Sequence, residues 1–386
     1  MKTSDAGRPA LQPSRGSPAA AGFRMPAEWE RHRATWLVWP HNREDWDVKM
    51  PAAEWCYVEI VRLLLDGEAV SILFQDRTVE RRACSRLRQA GVDPDRVERY
   101  RVATNRSWIR DSGPLFLVRE VRARRTQVAV SDWRFNGWAR YRAWQRDNLV
   151  PRRIARRIDL ERFDVTHTAG SVTRPVVLEG GSIDVDGRGL LLTTEECLLG
   201  AVQARNPHLG RNDIEQVLCD YLNVRRVLWL GQGIVGDDTH GHVDGAARFV
   251  ADGVVVAATE PDPADENHRR LADNLARLER MTTLDGAPLR IVEIPMPSPV
   301  CFGGERLPAS YANFYIGNRR VLVPTFNDPR DRIALDRLAP LFPGREVVGV
   351  HALDLVLGLG TLHCVTQQEP AGPEHGWTMP GVASGS

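Results

Sequence analysis

The sequence predicts an α/β fold in which five similar units form a ring within one domain. The first observation is a recurring order of elements: two runs rich in Val, Ile and Phe joined by a short turn, then a helix, then another such run. The second is that polar residues stand at the entrances of several hairpins. The third is that no linker divides the chain. A ring closed by its own termini, a five-bladed α/β propeller with pseudo-five-fold symmetry, accommodates all three.

The clearest unit has a hairpin over 247–258 that turns at Asp252-Gly253, a dipeptide typical of tight hairpins. A helix near 265–280 and a strand over 289–294 complete it. The other predicted units are a hairpin over 311–324 with a helix near 330–341 and a strand over 346–350; a hairpin over 182–193 with a helix near 211–222 and a strand over 225–230; a hairpin over 113–130 with a helix near 147–159; and a strand over 35–39 with a helix near 51–66 and a strand over 69–74. The last of these lacks half of its hairpin, so we expect C-terminal strands around Cys364 to complete it.

The domain is expected to extend over 23–372. Residues 1–22 are rich in Ser, Pro, Gly and Ala and have no apolar core of a signal peptide, so they are predicted to be a disordered tail. A flexible tail is expected over 373–386. No run approaches the length of apolar residues that a membrane span needs.

Composition excludes several classes of partner. The formal net charge is +1, which provides no overall field to attract nucleic acid or anionic lipid. The arginine-rich run over 152–157 contains apolar residues and is interpreted as the solvated face of a helix. The six cysteines include no C-x-x-C pair, which favours a reducing, cytoplasmic location over a disulfide framework.

Residues able to carry chemistry stand at the hairpin entrances, and equivalent positions of a ring converge on its axis. We therefore expect one central cavity lined by a tryptophan, three carboxylates, a histidine and a thiol. These residues are Trp108, Asp111, Glu179, His242, Asp244 and Cys364.

This set of side chains suits one kind of substrate. Carboxylates placed together raise one another's pKa unless a cation lies between them, and a planar guanidinium pairs with carboxylates in bidentate fashion. A thiol is a strong nucleophile for the guanidinium carbon, and a histidine can protonate the departing amine and later deprotonate water. The expected reaction is hydrolysis of a guanidine to a urea with loss of ammonia.

Several ordered blocks resemble the agmatine deiminase family, which is related to bacterial peptidyl-arginine deiminases within the guanidino-modifying (pentein) superfamily. The resemblance covers nearly the whole chain from residue 25, and it implies a five-bladed α/β propeller that needs no metal or organic cofactor. The blocks are Met25 to Glu30, Trp36 to Pro40, Ser107 to Pro114, Leu178 to Ser182, Thr193 to Leu198, Gly241 to Asp244, Ala309 to Tyr315 and Leu362 to Gln368.

The resemblance also implies a role for each residue. Cys364 would be the nucleophile that forms a covalent amidino-thioether, and His242 the general acid and then base. Asp111 and Asp244 would bind the guanidinium nitrogens, Glu179 would help to hold or polarise the substrate, and Trp108 would pack against the guanidinium plane. Agmatine would yield N-carbamoylputrescine, a putrescine precursor, and ammonia; a homo-oligomer is expected only by family analogy.

Some positions depart from the family pattern and leave the substrate open. Asn105-Arg106 replaces an acidic residue and places a cation near the rim, while His240, Gly245 and Thr361-Leu362 are also unusual. An alternative is therefore a deiminase acting on free or peptidyl arginine or on a biosynthetic intermediate. An amidinotransferase, which passes the amidino group to an amine, would use the same cysteine.

Several residues of the sequence also have a structural interpretation. Arg110 and Asp111 are a candidate local ion pair, and Glu179 could cap a turn. His351 and His363 are interpreted as structural, and His363, adjacent to Cys364 on a strand, should point to the opposite face. The other cysteines are interpreted as small core residues: Cys56, Cys84, Cys197, Cys219 and Cys301. The early tryptophans are expected mostly in the core, with one or two walling the pocket: Trp29, Trp36, Trp39, Trp46 and Trp55.

A different mechanism is suggested by His240-Gly-His242-Val-Asp244, because H-x-H and H-x-D pairs ligate two-metal hydrolases, including those that cleave agmatine to urea. The chain lacks the further Asp-rich segments that such sites use, and a metal mechanism leaves Cys364 without a task. A catalytically silent guanidine-binding protein is a third hypothesis, under which the retention of every reacting residue would be a coincidence.

Overall fold

A computed structural model describes residues 10–121 and 125–372 of the chain as a mixed α/β protein. Its strands are β1 His32–Val38, β2 Ala69–Phe74, β3 Val97–Arg101, β4 Leu115–Val121, β5 Arg125–Asp132, β6 Glu161–Asp164, β7 Thr166–Ala169, β8 Val172–Pro175, β9 Asp184–Val185, β10 Leu190–Thr194, β11 Arg226–Leu230, β12 Ala247–Ala251, β13 Val254–Thr259, β14 Arg290–Pro295, β15 Cys301–Phe302, β16 Glu305–Arg306, β17 Tyr315–Ile316, β18 Arg320–Thr325, β19 Glu346–His351 and β20 Gln367–Pro370. Its α-helices are α1 Arg43–Trp46, α2 Met50–Leu64, α3 Arg77–Gln89, α4 Ile109–Ser112, α5 Val150–Arg157, α6 Glu195–Leu199, α7 Arg211–Leu222, α8 Glu266–Leu278 and α9 Arg330–Leu338.

Five sheets repeat one topology. In each, an antiparallel pair of strands is followed by a helix and then by a strand that pairs in parallel with the second member of the hairpin. The sheets are β20-β1-β2-β3, β4-β5-β6, β9-β10-β11, β12-β13-β14 and β17-β18-β19. The first sheet has an additional strand, β3, beyond the predicted order. The predicted mixed α/β class is confirmed.

The hairpin that turns at Asp252-Gly253 illustrates how the sequence determines a unit. Gly253 has φ +65°, a left-handed conformation that glycine adopts without a Cβ penalty, and β12 and β13 pair on either side of it. The following helix α8 begins at Glu266, where the Asp265 side chain accepts a hydrogen bond from the Asn267 amide. Turn and cap together define where this unit folds back.

The core lies between neighbouring units. In β10, Leu191 packs with the apolar residues of the preceding unit, whereas Leu190 and Leu192 pack with those of the following unit. A strand covered on both faces requires a continuous apolar run, which is why this strand shows no alternation of polar residues. Further apolar clusters join the first unit to the second and the fourth and fifth units to the first.

The C-terminal strand closes the first unit. β20 pairs antiparallel with β1, with Trp36 opposite Gln367 and Thr35 opposite Gln368. The Trp36 indole donates a hydrogen bond to Glu369 across the same ladder. The predicted completion of the first hairpin by the C-terminal segment is therefore observed in β20, while Cys364 lies before the strand in a turn over 362–365.

The predicted disorder over 1–22 is wrong for residues 10–22. Pro18 and Ala19 are buried, the Leu11 amide donates to the Arg225 carbonyl, and the Ala19 amide donates to the Asp220 carbonyl. Contacts with the end of α7 order a segment whose composition alone does not predict order. Residues 1–9 and the predicted tail over 373–386 lie outside the described residues.

Two smaller outcomes concern surface residues. The arginine-rich run forms α5, whose buried side is Val150, Pro151, Ile154 and Ala155, as the solvated-face interpretation requires. The interpretation of Cys301 as a core residue is wrong: it is exposed in the separate two-stranded hairpin β15–β16, where the neighbouring Phe302 is exposed as well. Within the described ranges no helix has both the length and the apolar character needed to cross a membrane.

Candidate active site

Hairpin entrances bring the predicted residues to one place. Asp111 lies in α4, Asp244 in a 3-10 turn over 243–245, and Gly181 in another over 180–182 directly after Glu179. A Cβ on Gly181 would lie 2.6 Å from His242 Nδ1, 2.7 Å from Asp111 Oδ1 and 3.1 Å from Asp244 Oδ2. These three side chains therefore converge on a point that only a glycine can occupy.

A cavity of about 260 Å³ opens at this point. Trp108, Asp111 and Cys364 line it, and Asp244 and His242 adjoin two of these lining residues. The remaining lining residues are Glu44, Asp45, Arg106, Trp138, Tyr141, Asp238, Thr239, Leu357, Gly358 and Leu359. The volume is enough for a small molecule such as an alkylguanidine.

The Cys364 thiol lines the cavity and faces carboxylates. Its sulfur lies 3.7 Å from Asp244 Oδ2, and the Asn313 amide donates to it at 3.3 Å. Burial, followed by the charges of Asp244 and Asp111, raises the pKa of Cys364 well above its usual value. The thiol is therefore protonated at neutral pH.

Asp111 accepts hydrogen bonds from two uncharged donors. Trp138 Nε1 donates to Oδ2 at 2.9 Å and the Gly181 amide donates to Oδ1 at 3.0 Å. Burial raises the pKa of Asp111 to about 6, the neighbouring Asp244 and Glu179 add to this, and His242 opposes it. The candidate pair with Arg110 is not formed, because Arg110 Nη2 contacts Glu28 at 3.1 Å and Nη1 donates to Gln368 at 2.7 Å. Asp111 is thus available to a cationic ligand.

His242 lies between two carboxylates. Its Nδ1 is 3.7 Å from Asp111 Oδ1 and its Nε2 is 3.6 Å from Glu179 Oε2. Burial alone would lower the pKa of His242, but Asp111, Glu179 and Asp237 raise it to about 9. The ring is protonated at neutral pH and can act as a general acid.

Glu179 is fully buried and does not simply cap a turn. Arg205 Nε donates to both of its oxygens, at 3.1 and 3.2 Å. Burial opposes ionisation, yet Arg205 and His242 lower the pKa of Glu179. The carboxylate is therefore charged and fixed, with one oxygen directed at His242.

Asp244 is held by the residue next to the nucleophile. His363 Nδ1 lies 2.7 Å from Asp244 Oδ2, and its Nε2 lies 2.9 Å from Glu28 Oε2. The prediction that His363 points away from the site is wrong. Residues 362–365 form a turn and not a strand, so alternation of side chains does not apply to them.

Trp108 forms one wall of the cavity and packs on Trp46 at a ring-centroid distance of 5.2 Å. A Cβ on Gly358 or Gly360 would lie 2.8 Å from its ring, so the chain before Cys364 can pass closely only as glycine. Of the early tryptophans, Trp36, Trp39 and Trp46 are buried, as expected, whereas Trp55 is 41% exposed.

Arg106, which departs from the family pattern, lies at the mouth of the cavity. The Arg106 guanidinium pairs with Asp45 and, at 3.3 Å, with Glu44, and it stacks over the Tyr141 ring at 4.3 Å. Tyr141 in turn donates to Asp238 at 2.5 Å. The mouth thus has three carboxylates and one guanidinium whose charge is already paired, which leaves it net negative.

The H-x-H-x-D segment does not form one cluster. His242 faces Glu179 and Asp111, Asp244 faces His363, and His240 has φ +63° in the turn before them. Among the described residues, ligand-type atoms of Glu179, Cys197 and His242 lie within 4.8 Å of one another. Arg205 already occupies the Glu179 carboxylate, and burial raises the pKa of the Cys197 thiol, so this donor set fits a divalent metal poorly.

Three supporting residues were not assigned a role from the sequence. Asn313, which contacts the Cys364 sulfur, lies in the block from Ala309 to Tyr315 and was detectable there. Trp138 and Arg205, which hold Asp111 and Glu179, lie in segments without a recognised motif. Their roles come from three-dimensional proximity alone.

The chain was compared with known proteins. The family model described as Porphyromonas-type peptidyl-arginine deiminase matches residues 24–370. The chain belongs to this family. Proteins similar in sequence to this deiminase-family chain include the agmatine deiminases of Ectopseudomonas mendocina and Pseudomonas aeruginosa. Each is 36% identical to it, and each alignment covers 92% of this chain and 97% of the relative.

Similar solved structures lead to the same family. The agmatine deiminase of Enterococcus faecalis superposes with a TM-score of 0.82 at 32% identity, covering 93% of this chain and 99% of that protein. The predicted membership of the deiminase family is confirmed by these similarities.

Proposed function

We propose that the protein is an agmatine deiminase, a hydrolase acting on C–N bonds of linear amidines. The observation that carries the proposal is the cavity lined by both the Cys364 thiol and the Asp111 carboxylate, which has no arginine or lysine partner among the described residues, with Asp244 3.7 Å from the sulfur. The relatives named above, aligned over nearly their whole length, are agmatine deiminases.

Binding would prepare the nucleophile. A guanidinium in the cavity is expected to lie against Trp108 and to donate hydrogen bonds to Asp111 and Asp244, which orients its carbon towards Cys364. The positive charge beside the sulfur lowers the thiol pKa, so that the thiol loses its proton to solvent water and the thiolate forms when substrate is present. This arrangement restricts a reactive thiolate to the occupied site.

The reaction then proceeds in two halves. The thiolate attacks the guanidinium carbon, His242 gives its proton to the departing nitrogen, and ammonia leaves an amidino-thioether on Cys364. Water, deprotonated by His242, attacks the same carbon, and the C–S bond breaks to release N-carbamoylputrescine and the thiolate. Glu179 keeps His242 charged and oriented, and no step requires a metal or an organic cofactor.

The charge of the cavity mouth supports agmatine over arginine. Agmatine has an ammonium at its far end, which suits the surplus of carboxylates formed by Glu44, Asp45 and Asp238. Arg106 does not offer a free cation to a substrate carboxylate, because Asp45 and Glu44 pair with it. A substrate with an α-carboxylate would be disfavoured there.

We further infer that the five sheets surround this cavity as a five-bladed propeller, in a domain over 23–372. Each unit packs against the next, and β20 joins the end of the chain to the first unit. A small molecule is the expected ligand; the cytoplasmic location, a homo-oligomer and the lack of a nucleic-acid partner remain predictions.

A guanidine panel tests the function. Purified protein is incubated with agmatine, arginine, a peptidyl arginine and 4-guanidinobutyrate, with and without a chelator, and ammonia and ureido product are quantified. Agmatine should be turned over with the highest kcat/KM, and the chelator should have no effect. Turnover of another guanidine with agmatine inert would disprove the substrate. Release of the parent amine, such as putrescine from agmatine, without ammonia when an acceptor amine is added would indicate transfer of the amidino group to that acceptor.

A cysteine pair tests the mechanism. Cys364→Ala should lower kcat by about 10⁴-fold or more, because the residue that forms the covalent intermediate is removed. Cys301→Ala, at an exposed cysteine, is the matched control and should retain wild-type kinetics. Activity that survives in Cys364→Ala but is lost with chelator would replace the thiol mechanism by a metal one.

A further inference from the structure

His363 connects the nucleophile's surroundings to a buried ionic centre. Its side chain is 1% exposed, with Nδ1 2.7 Å from Asp244 Oδ2 and Nε2 2.9 Å from Glu28 Oε2. Asp244 Oδ2 is also the oxygen that lies 3.7 Å from the Cys364 sulfur. One carboxylate oxygen is therefore shared between a histidine that the proposed mechanism does not use and the reacting thiol.

Glu28 is rigidly held. Arg248 Nη2 lies 2.9 Å from Oε1, Arg110 Nη2 lies 3.1 Å from Oε2, and the Ile316 amide donates to Oε1 at 2.9 Å. Burial opposes its ionisation, but Arg248, His363 and Arg110 lower the pKa of Glu28 well below its usual value. His363 thus has a fixed charged acceptor on the side away from Asp244.

Hydrogen bonds at both ends of the ring require a proton on each nitrogen. Ionised carboxylates only accept, so an imidazole that bonds to two of them must donate from both Nδ1 and Nε2. Although burial opposes it, the hydrogen bond and charge of His363 lower the pKa of Asp244. The ring therefore acts on Asp244 in orientation and in charge.

We propose that His363 is a positioning residue: its Nδ1–H holds Asp244 in the orientation that receives the guanidinium beside Cys364, and Glu28 fixes the ring. This rests on the proposed function, because it assigns Asp244 to the substrate. His363 itself is not one of the residues that line the cavity.

Two substitutions separate positioning from a general structural role. In His363→Asn the amide nitrogen stands where Nδ1 stands, so the bond to Asp244 is kept and the one to Glu28 is lost. In His363→Gln the amide nitrogen stands where Nε2 stands, so the bond to Glu28 is kept and the one to Asp244 is lost. Both variants lose the same charge and one buried contact, and a purely structural role predicts similar defects in both.

Steady-state kinetics with agmatine is the first test. His363→Gln should lower kcat/KM on the order of 100-fold, because a hydrogen bond to a charged group is removed, and His363→Asn should remain within about tenfold of wild type. Equal activities, or a more active Gln variant, overturn the positioning role. Inactivity of the wild type towards every guanidine would instead contradict the proposed function.

A test without turnover uses alkylation of Cys364, followed by peptide mass spectrometry. The cationic reagent 2-chloroacetamidine should react faster than neutral 2-chloroacetamide in wild type and in His363→Asn, because Asp111 and Asp244 hold the amidinium. The preference should fall about tenfold or more in His363→Gln. A preference unchanged in the Gln variant overturns the proposal, whichever guanidine is the substrate.

The wild-type fold provides a third measurement in case neither variant folds. Nitrogen-15 NMR of histidine-labelled protein should resolve an imidazole with protons on both nitrogens, and its signal should persist in the double variant His32→Asn/His242→Asn, which removes two other buried rings that lie between acceptors. If no doubly protonated ring remains in that variant, the arrangement proposed for His363 is refuted.

Discussion

Burial and two carboxylates keep the Cys364 thiol protonated at neutral pH, and in the proposed mechanism the charge of the bound guanidinium lowers the thiol pKa. Around the sulfur, Asp111 is held by the neutral donors Trp138 and Gly181, whereas Asp244 is held by His363. The two carboxylates proposed to bind the substrate therefore differ in acidity: burial raises the pKa of Asp111, and His363 lowers that of Asp244 in spite of its burial. This difference makes Asp111 the group that limits binding in acid.

The pH dependence of kcat/KM follows from these residues. Asp111, with its pKa raised to about 6, becomes neutral below that pH and then binds the guanidinium poorly. His242, with its pKa raised to about 9, loses its proton above that pH and can no longer protonate the departing amine. Initial rates measured between about pH 5 and 10 should give a bell-shaped profile of kcat/KM, with one limb at about pH 6 and the other at about pH 9.

The control for this profile is activity at neutral pH after exposure to each extreme, which separates titration from unfolding. The substrate guanidinium stays charged throughout. A profile that is flat on the alkaline side up to pH 10 would show that protonated His242 is not the acid.

At the scale of elements, the site depends on short turns rather than on strands. The regular elements of the repeat agree closely with prediction: α7 spans the predicted 211–222, and β12 and β13 flank the predicted turn. Hydrophobic runs, turn dipeptides and helix caps are local signals, and they define such elements. The turn over 362–365 has no such signal, and for that reason the direction of His363 was predicted wrongly.

Other differences also have a physical origin. The hairpin β7–β8 was not predicted, since its strands are largely exposed and lack an apolar face. Arg205 reaches Glu179 from a loop, and the Arg110 partner is Glu28, 82 positions away. Long-range pairs of charges have no sequence periodicity. The family blocks therefore indicated the residues proposed to react, whereas the residues that hold them became apparent only in the fold.

Gly181 tests the geometry of these turns. Gly181→Ala should lower kcat/KM by about 100-fold or more, because the added methyl would lie 2.6 Å from His242 Nδ1 and 2.7 Å from Asp111 Oδ1 and must displace them. Gly210→Ala is the matched control, since its Cβ would meet nothing closer than 3.6 Å. Equal activity of the two variants would mean that the site is looser than described.

At the scale of the whole molecule, one buried arginine ties the units together. Arg248 in the fourth sheet pairs with Asp184 of the third at 3.0 Å and with Glu28 of the N-terminal segment at 2.9 Å, and it donates to the Phe314 carbonyl beside the fifth sheet at 2.9 Å. Through Glu28 the same network reaches Arg110 and His363. Because it is fully buried, each member depends on the others for its charge balance.

Arg248→Met should therefore destabilise the protein strongly. Removing one member of a buried ionic network costs about 3–5 kcal/mol of unfolding free energy, whereas Arg332→Met, in the exposed pair with Asp336, should cost under about 1 kcal/mol. Urea unfolding followed by circular dichroism compares the two. A similar small loss in both would indicate that the ionic centre does not hold the fold.

The pairing of β20 with β1 has a consequence for synthesis. Trp36 and Glu369, which bond across that ladder, are 333 positions apart. A nascent chain can form the middle units as they emerge, but its first sheet remains an open edge, and Cys364 is delivered only with the last turn before β20. Ring closure and the addition of Cys364 thus coincide, so a partly made chain, although it contains other cysteines, lacks the proposed nucleophile.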